Sequence, residues 1–446
     1  MQYNISPETL IQPEDYDDDM RRTISDGVSV EKMLNREIDL SWMKGRNITL
    51  SPSGQFFRTD TKGFLPEMLE SKYNDRKRIK NMMLDCYRDY ETGKADESIL
   101  VQAKQFEMTQ WAKKISLNSA YGNLGTNFSR YYDVRLASSV TAGARLSLLW
   151  VKDKVNKWMN KAVGNDIQKE YILAGDTDSL YIHFQDIVKK AYGDDLPSTQ
   201  EVIDFLSMVA SKYIEKVIDD GYEELAYYVN APEQKMKMKR EVIAERAVWT
   251  AKKRYAMTVY NGEDNVTLSE PHYKIVGLEI IKSSTPKAVR NQLMEAVKII
   301  MTGKESDLHD YVKKVMDEFF ALPPEEISFP KGVNGIKKYS TEKGLYKKGT
   351  PINSRAAILY NSQLKEHNLD NKYQSINEGD KIRFIYLIKP NPLHEDVIGF
   401  PKYLPKEFGL HKYIDYYTQF EKVFLSPLEN ILKVMGWDYK KRKKLF

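Results

Sequence analysis

The chain has 446 residues, which is enough for two or three domains with substantial cores. Hydrophobic residues make up 41% of it and tyrosine occurs 29 times, a composition that excludes an intrinsically disordered chain. The net charge is only +5, from 68 basic and 63 acidic residues, so any nucleic-acid footprint must come from local patches. A single cysteine, Cys86, excludes a disulfide framework, and no apolar run is long enough for a membrane span. We therefore expect a globular, cytoplasmic protein.

The first half of the chain is predicted to contain a protruding pair of helices. Residues 1–62 are mixed, with a strand-like piece at 47–50. From about Phe64 the apolar residues follow helical spacing, and Gly93 is well placed to end that helix. A second helix is expected from about Ser98 to Tyr121, returning antiparallel to the first.

Each predicted helix carries a cationic face. Lys114, Asn118 and Tyr121 have i, i+4, i+7 spacing and share one face of the second helix. Arg76 and Lys80 lie four residues apart beside the apolar stripe of the first helix. Taken alone, such a pair is more often a solvated face, but three convergent cations would suit a triphosphate.

Residues 127–268 mix helices with β-branched and aromatic runs, and they contain the tight turn GDTDS at 175–179. The turn puts Asp176 and Asp178 two residues apart between two apolar runs. Carboxylate oxygens are preferred ligands of Mg²⁺, and paired carboxylates serve two-metal phosphoryl transfer. The alternative is an ordinary hairpin in which Asp and Thr supply only turn chemistry. A second carboxylate strand, which that chemistry normally uses, is missing.

The remainder, from about residue 269, is predicted to be helix-rich. Helices are expected near 286–301, 306–320 and 412–433, with a strand-like segment at 381–388. The chain ends in a basic run at 440–444, followed by Leu445 and Phe446.

Three ordered motifs resemble the family B DNA polymerases. They are KISLNSAYG at 114–122, GDTDS at 175–179 and KKRY at 252–255. The stretches NISPETL at 4–10, FSRYYDVR at 128–135 and KSSTPKAV at 282–289 are most similar to the T-even-like tailed-phage branch. The resemblance covers nearly the whole chain.

The resemblance implies an α+β, right-hand architecture. An antiparallel-sheet palm would comprise 1–62 and 127–268, helical-hairpin fingers 63–126 and a mostly helical thumb 269–446. It implies a DNA-directed DNA polymerase that adds deoxynucleotides to a primer 3′ end with two Mg²⁺ ions.

The resemblance also implies a role for particular residues. Asp178 and Asp176 would bind metal and, with Lys114, serve catalysis. The incoming triphosphate would be bound by Arg76, Lys80, Lys114, Asn118 and Tyr121. The DNA contacts would come from Gly122, Lys252, Lys253, Arg254, Tyr255, Lys282, Ser283, Ser284 and Lys287.

Two departures from the family pattern matter. Ala174 stands where the family usually has an aromatic residue before GDTDS, a change that we expect to loosen the strand packing and to alter primer placement. The family segment D-x-x-S-L-Y-P-S, which supplies the other metal-binding aspartate, would precede NISPETL and is missing, as is the exonuclease region. We therefore expect the C-terminal subunit of a split polymerase, completed by an N-terminal subunit that carries both.

Two other interpretations of the chain remain open. The chain could be a catalytically inactive DNA-binding remnant of a polymerase, or a truncated product. Leu445 and Phe446 could form a short version of the terminal peptide with which phage relatives dock a sliding clamp.

Overall fold

The chain divides into two units in the computed structural model, Met1–Glu241 and Val242–Phe446. The structure describes residues 1–262, 267–341 and 345–439. The basic run at 440–444 and the predicted clamp peptide of Leu445 and Phe446 lie outside the described residues. No helix in the described ranges is both long and apolar enough to cross a membrane.

The first unit combines helices with two small antiparallel sheets, β1 with β2 and β3 with β4. In chain order its elements are α1 (Asp18–Ser25), α2 (Val30–Leu34), β1 (Ile48–Leu50), β2 (Phe56–Arg58), α3 (Phe64–Glu91), α4 (Ser98–Gly125), α5 (Val134–Val163), β3 (Ile172–Asp176), β4 (Ser179–Ile182), α6 (Gln185–Tyr192), α7 (Thr199–Val209) and α8 (Glu215–Tyr228). A π-helical turn, Ala210–Ile214, joins α7 to α8.

Helix α5 is the longest element of this unit. It begins where the Asp133 side chain accepts a hydrogen bond from the Arg135 amide, and it ends at Gly164, whose φ of 85° is left-handed. Its first half contributes Leu136 and Leu146 to a core shared with β1, β2 and the N-terminal segment. Its second half contributes residues such as Val155 to a core under β3, β4 and α6 to α8. One helix therefore organises both cores.

Helices α3 and α4 form the predicted antiparallel hairpin. Gly93 follows α3 with a φ of 69°, as the sequence indicated for a helix end. The seam between the helices buries Ile79, Cys86 and Ala103. Polar pairs flank the seam, including an ion pair between Asp75 and Lys113.

The second unit has a larger core of its own and two three-stranded antiparallel sheets, ordered β5-β6-β7 and β10-β9-β8. Its elements are β5 (Ile243–Ala251), β6 (Arg254–Asn261), β7 (Thr267–Val276), α9 (Lys287–Thr302), α10 (Glu305–Phe320), α11 (Pro324–Ile327), β8 (Phe329–Gly332), α12 (Ile336–Tyr339), α13 (Ile352–Glu366), β9 (Lys381–Tyr386), β10 (Val397–Phe400), α14 (Tyr416–Phe420) and α15 (Ser426–Met435).

Helix α13 lies unusually close to β10 because the strand has a glycine at the contact. A Cβ on Gly399 would come within 2.9 Å of the Ala356 backbone, closer than real side chains approach. Ala356 and Ala357 are fully buried at this contact. Small residues on both elements therefore allow the helix to pack closely against the sheet.

One expectation for this unit needs correction. The predicted palm–thumb border at 269 stays a prediction; residue 269 lies within β7, whose alternating residues Tyr273 and Ile275 pack against the core. The helix expected at 412–433 is interrupted by a π-helical turn, Glu421–Leu425. Pro427 follows at the start of α15, and a proline there removes a backbone donor and crowds the preceding turn.

A first test concerns Glu70, which ties α3 to both Lys62 and Lys235. The Lys235 and Lys62 side chains lower the pKa of Glu70 to about 2, and the Lys235 Nζ lies 2.8 Å from its carboxylate. The folded-state pKa of Glu70 lies below its ordinary value of 4.5. The ionised carboxylate therefore stabilises the folded chain above pH 4.5, and this stabilisation is lost as the pH falls towards 2. We expect the free energy of unfolding of Glu70→Gln to fall less steeply over this window than that of the native chain. Urea unfolding at several pH values measures it, and parallel profiles would contradict the prediction.

Candidate active site and nucleic-acid contacts

The two predicted metal-binding aspartates lie at the tip of the β3–β4 hairpin. Asp176 pairs with Ser179 at the end of the ladder, and the Asp178 amide donates to the Asp176 carbonyl at 2.5 Å. Thr177 between them has a φ of 52°, and its hydroxyl donates to the Asp176 carboxylate at 3.1 Å. The turn therefore holds both aspartates at one hairpin tip.

Tyr222 on α8 lies within electrostatic reach of this tip and was not recognised from sequence. Burial, followed by the charges of Asp219 and Asp178, raises the pKa of Tyr222 to about 12. The hydroxyl therefore stays protonated at neutral pH and is a potential hydrogen-bond donor beside the hairpin. Nothing in the sequence signals it, because Tyr222 is 44 residues beyond Asp178.

The cationic residues of the helical hairpin are placed by contacts between α3 and α4. Arg76 donates to the Gln110 amide at 3.3 Å across the seam, which puts it one helical turn from Lys114. Its Nε is buried and has no hydrogen-bond partner among the described residues. Lys80 lies one turn further along α3 and is half-buried.

Lys114 lies on the exposed surface of α4 with its Nζ 5.4 Å from the centre of the Trp111 ring. Asn118 and Tyr121 follow on the same helix and are also exposed. A Cβ on Gly122 would meet no atom within 4 Å, so the backbone there faces open space. The predicted face of α4 is thus accessible along its length.

The stretch NISPETL at 4–10 also has a structural role. The Asn4, Ser6 and Glu8 side chains contact the backbone at the start of α3. Sequence reasoning used this stretch only as a family signature, since partners more than 50 residues away leave no local pattern.

In the second unit, Lys252 and Lys253 form the turn between β5 and β6, and Arg254 begins β6; all three are exposed. Tyr255 is different: it is only 5% exposed, and its ring lies 5.9 Å from that of Trp249. The resemblance implies DNA contacts from all four residues of this motif, and that role stays a prediction. Lys252, Lys253 and Arg254 are exposed, whereas Tyr255 is buried among the strands beneath them.

The predicted segment from Lys282 to Lys287 is one wall of a small cavity of about 210 Å³. Lys282 and Ser284 line it together with Lys331 of β8 and Lys422 of the π-helical turn. Glu279 supplies the one acidic side chain in the lining, and it pairs with Lys282 at 2.5 Å. Ser283 and Lys287 are exposed on the same segment. Lys331 and Lys422 were missed because they are far apart in sequence and lie in no motif.

Comparison with known proteins identifies the class of protein. Residues 1–194 match the model for DNA polymerase family B. The chain is 34% identical over 348 residues to the DNA-directed DNA polymerase of Enterobacteria phage T4, a match covering 75% of this chain and 38% of that protein. It is 30% identical over 449 residues to the DNA-directed DNA polymerase of Escherichia phage RB69, covering 89% of this chain and 49% of that protein.

The similarity extends more weakly beyond phages. The DNA polymerase delta catalytic subunit of Caenorhabditis elegans is 31% identical over 172 residues, covering 37% of this chain and 15% of that protein. The chain belongs to DNA polymerase family B and is similar to its T4-like phage members. It spans at most about half the length of these relatives.

A second test concerns the turn that carries Lys252 and Lys253. Gly277 has a φ of 66°, and a Cβ there would come within 2.0 Å of the Lys253 carbonyl oxygen. We expect Gly277→Ala to lower the free energy of unfolding by more than about 1 kcal/mol, because both the left-handed backbone and the contact require glycine.

Gly332→Ala is the matched control, since its Cβ would meet no atom within 4 Å. Chemical denaturation of both variants measures the difference. Equal stability of the two variants would show that the close approach at Gly277 is not required.

Proposed function

We propose that this chain is the nucleotidyl-transfer portion of a DNA-directed DNA polymerase. The observation that carries the proposal is that one unit contains both the Asp176–Asp178 hairpin tip and a helical hairpin bearing Arg76 and Lys114. Carboxylates for metal and accessible cations for a triphosphate are the two side-chain sets that phosphoryl transfer requires. Family membership supports the same assignment.

The carboxylates fit the family's magnesium chemistry. Asp178 is exposed at the tip and forms no ion pair with a described residue, so its oxygens remain available. Asp176 and Asp178 would hold the metal. Bound Mg²⁺ would neutralise charge on the triphosphate and lower the pKa of the attacking primer hydroxyl. Hard cations of this kind prefer oxygen ligands and near-octahedral geometry.

The protein's own residues would position the incoming nucleotide. Arg76, Lys80 and Lys114 would bind the phosphates, and Asn118 would lie beside them. Tyr121 and Gly122 would border the nascent base pair, the ring by stacking and the glycine by close backbone approach. Fixed positive charge stabilises the negative charge that develops on the phosphoryl oxygens in the transition state.

The right-hand organisation belongs to the same proposal. The fingers would be the hairpin of α3 and α4 within 63–126, the palm would comprise 1–62 and 127–268, and the thumb would be 269–446. Strands β5 to β7 belong to the second unit, which begins at Val242, so the border between the two units lies before this proposed palm–thumb border.

The second unit would hold the primer–template duplex. Lys252, Lys253 and Arg254 would contact phosphates from the β5–β6 turn. Lys282, Ser284, Lys331 and Lys422 would contact them from the cavity, and Ser283 and Lys287 would contact them beside it. Three lysines against one glutamate leave the cavity lining positive, which suits a phosphate.

Duplex binding provides the third test. The double variant Lys252→Ala/Lys253→Ala should bind primer–template more weakly, and the slope of log affinity against log salt should become shallower by about 2, since each lost phosphate contact releases about one counterion fewer. Fluorescence anisotropy over a salt series measures both. Lys313→Ala, an exposed lysine on α10, is the control and should leave the slope unchanged. An unchanged slope in the double variant would remove the turn from the DNA contact surface.

We further propose that catalysis requires a carboxylate strand beyond Asp176 and Asp178. Among the described residues no three His, Cys, Asp or Glu side chains are grouped to hold a metal ion. Two-metal phosphoryl transfer would need carboxylates beyond those of this one hairpin to hold both ions. The family's D-x-x-S-L-Y-P-S segment, with the exonuclease region in a partner N-terminal polypeptide, is our proposed source.

Primer extension provides the fourth test. Residues 1–446 alone should extend a primer negligibly, and adding a polypeptide that carries D-x-x-S-L-Y-P-S should restore extension. Asp178→Ala should then abolish the restored activity without reducing assembly of the two polypeptides. Asp194→Ala, an exposed aspartate of the same unit, should retain it.

The outcomes separate the proposals. Robust extension by residues 1–446 alone would overturn the need for an added carboxylate strand. Extension by the complemented Asp178→Ala variant would overturn the metal role of the hairpin. Duplex binding without extension under every complementation would favour the DNA-binding function alone.

A further inference from the structure

The start of α3 is capped by a segment far away in sequence. Gly63 precedes the helix and supplies no side-chain cap of its own. The Gly63 amide donates to the Asn4 side-chain oxygen at 2.9 Å, and the Phe64 amide donates to the Glu8 carboxylate at 2.6 Å. The first amides of a helix have no partners within it, so residues 4–8 satisfy groups that would otherwise be unpaired.

This capping segment is itself held rigidly. The Asn4 side-chain amide donates to the Arg58 and Thr61 carbonyls at 2.7 and 2.8 Å. The Ser6 hydroxyl donates to Glu8 at 2.6 Å, which fixes the carboxylate orientation. A Cβ on Gly63 would come within 2.6 Å of the Ser6 Cβ, so the glycine allows the close approach.

The charge of Glu8 adds to the cap. The amide end of a helix carries partial positive charge, which favours a carboxylate there. Partial burial disfavours the charged form of Glu8, but hydrogen bonds from Ser6 and the Phe64 amide outweigh it, and the pKa of Glu8 lies below its ordinary value. The group is therefore a carboxylate at neutral pH.

The same N-terminal segment also reaches the other connection of the helical hairpin. The Asp133 amide donates to the Leu124 carbonyl at the end of α4, at 3.1 Å. Arg135 pairs with Asp133 at 2.7 Å and donates to the Gln12 side chain at 2.9 Å. The rings of Phe64 and Tyr131 lie 5.3 Å apart, so the two connections also contact each other.

From this geometry we propose that residues 4–12 fix the direction of the α3–α4 hairpin, with Glu8 as its positioning residue. This inference rests on the proposed function. Glu8 would affect nucleotide binding indirectly, by positioning Arg76 and Lys114, without contacting the nucleotide itself. Arg76 is 12 residues beyond Phe64, or about 18 Å along the helix at 1.5 Å per residue. A tilt of about 10° at Phe64 would therefore move Arg76 by about 3 Å.

The test compares Glu8→Ala and Glu8→Gln with Glu67→Gln in the full chain. Glu67 lies in the first turn of α3, is exposed, and has no side-chain hydrogen bond or ion pair to the described residues, so it controls for charge alone. Hydrogen exchange over the start of α3 should accelerate by about threefold or more in Glu8→Ala and less in Glu8→Gln, which keeps an acceptor. Glu67→Gln should exchange as the native chain does.

The direction of the hairpin is measured independently of activity. Spin labels are attached to cysteines introduced by Lys94→Cys and Lys161→Cys in a Cys86→Ser background. Double electron–electron resonance then measures the distance from the hairpin tip to α5. The distance distribution should broaden or shift in Glu8→Ala and stay unchanged in Glu67→Gln. Unchanged exchange or an unchanged distribution in Glu8→Ala would overturn the proposal.

Kinetics then separates this inference from the proposed function. In the complemented enzyme Glu8→Ala should raise the KM for nucleotide by about fivefold or more, as expected for an indirect loss of phosphate contacts, with duplex affinity unchanged. If the hairpin shifts in Glu8→Ala but the KM for nucleotide is unchanged, Glu8 has a structural role only, and the proposed polymerase function still stands. If no complemented form extends primers, the proposed function fails. The hydrogen-exchange and distance measurements still test whether Glu8 fixes the direction of the α3–α4 hairpin.

Discussion

The packing of α5 is the constraint on which the first unit depends. Leu136 and Leu146 near its start, and Val151, Val155 and Met159 nearer its end, are fully buried. Each such side chain contributes about 1.5–3 kcal/mol of burial free energy. Because the two groups belong to separate cores, one rigid helix joins the β1–β2 region to the β3–β4 hairpin. The positions of Asp176 and Asp178 therefore depend on apolar contacts remote from them.

Close backbone approach has the corresponding role in the second unit. Gly277 lets β7 pass against the Lys253 carbonyl, and Gly399 lets β10 pass against α13. A side chain at either position would force the two elements apart, and close-packed protein interiors resist such shifts. The cationic β5–β6 turn and the cavity lined by Lys331 and Lys422 are displayed on a scaffold fixed in this way.

The sequence allowed the local features of the fold to be predicted. The α3–α4 hairpin follows from helical spacing and Gly93, and the β3–β4 turn from Gly175 and the two aspartates. The missed features depend on partners far apart in the chain. The cap from Glu8 to Phe64 spans 56 residues, and Lys422 reaches its cavity only through tertiary packing. The buried position of Tyr255 was not predicted, because the residue was assigned to DNA contact with its three cationic neighbours, whereas its pairing with Trp249 is set by strand register.

Charge pairing distinguishes Arg76 and Lys114, which we propose bind the triphosphate, from their cationic neighbours on the helical hairpin. Hydrogen bonds from Lys113 and then Arg78 lower the pKa of Asp75, so that carboxylate is already matched. Arg76, its neighbour, instead donates to the neutral amide of Gln110, and Lys114 lies over the Trp111 ring. Both contacts orient a cation without cancelling its charge. Positive charge held in place by neutral partners needs little reorganisation when a phosphate binds, which is the form of electrostatic preorganisation that favours phosphoryl transfer.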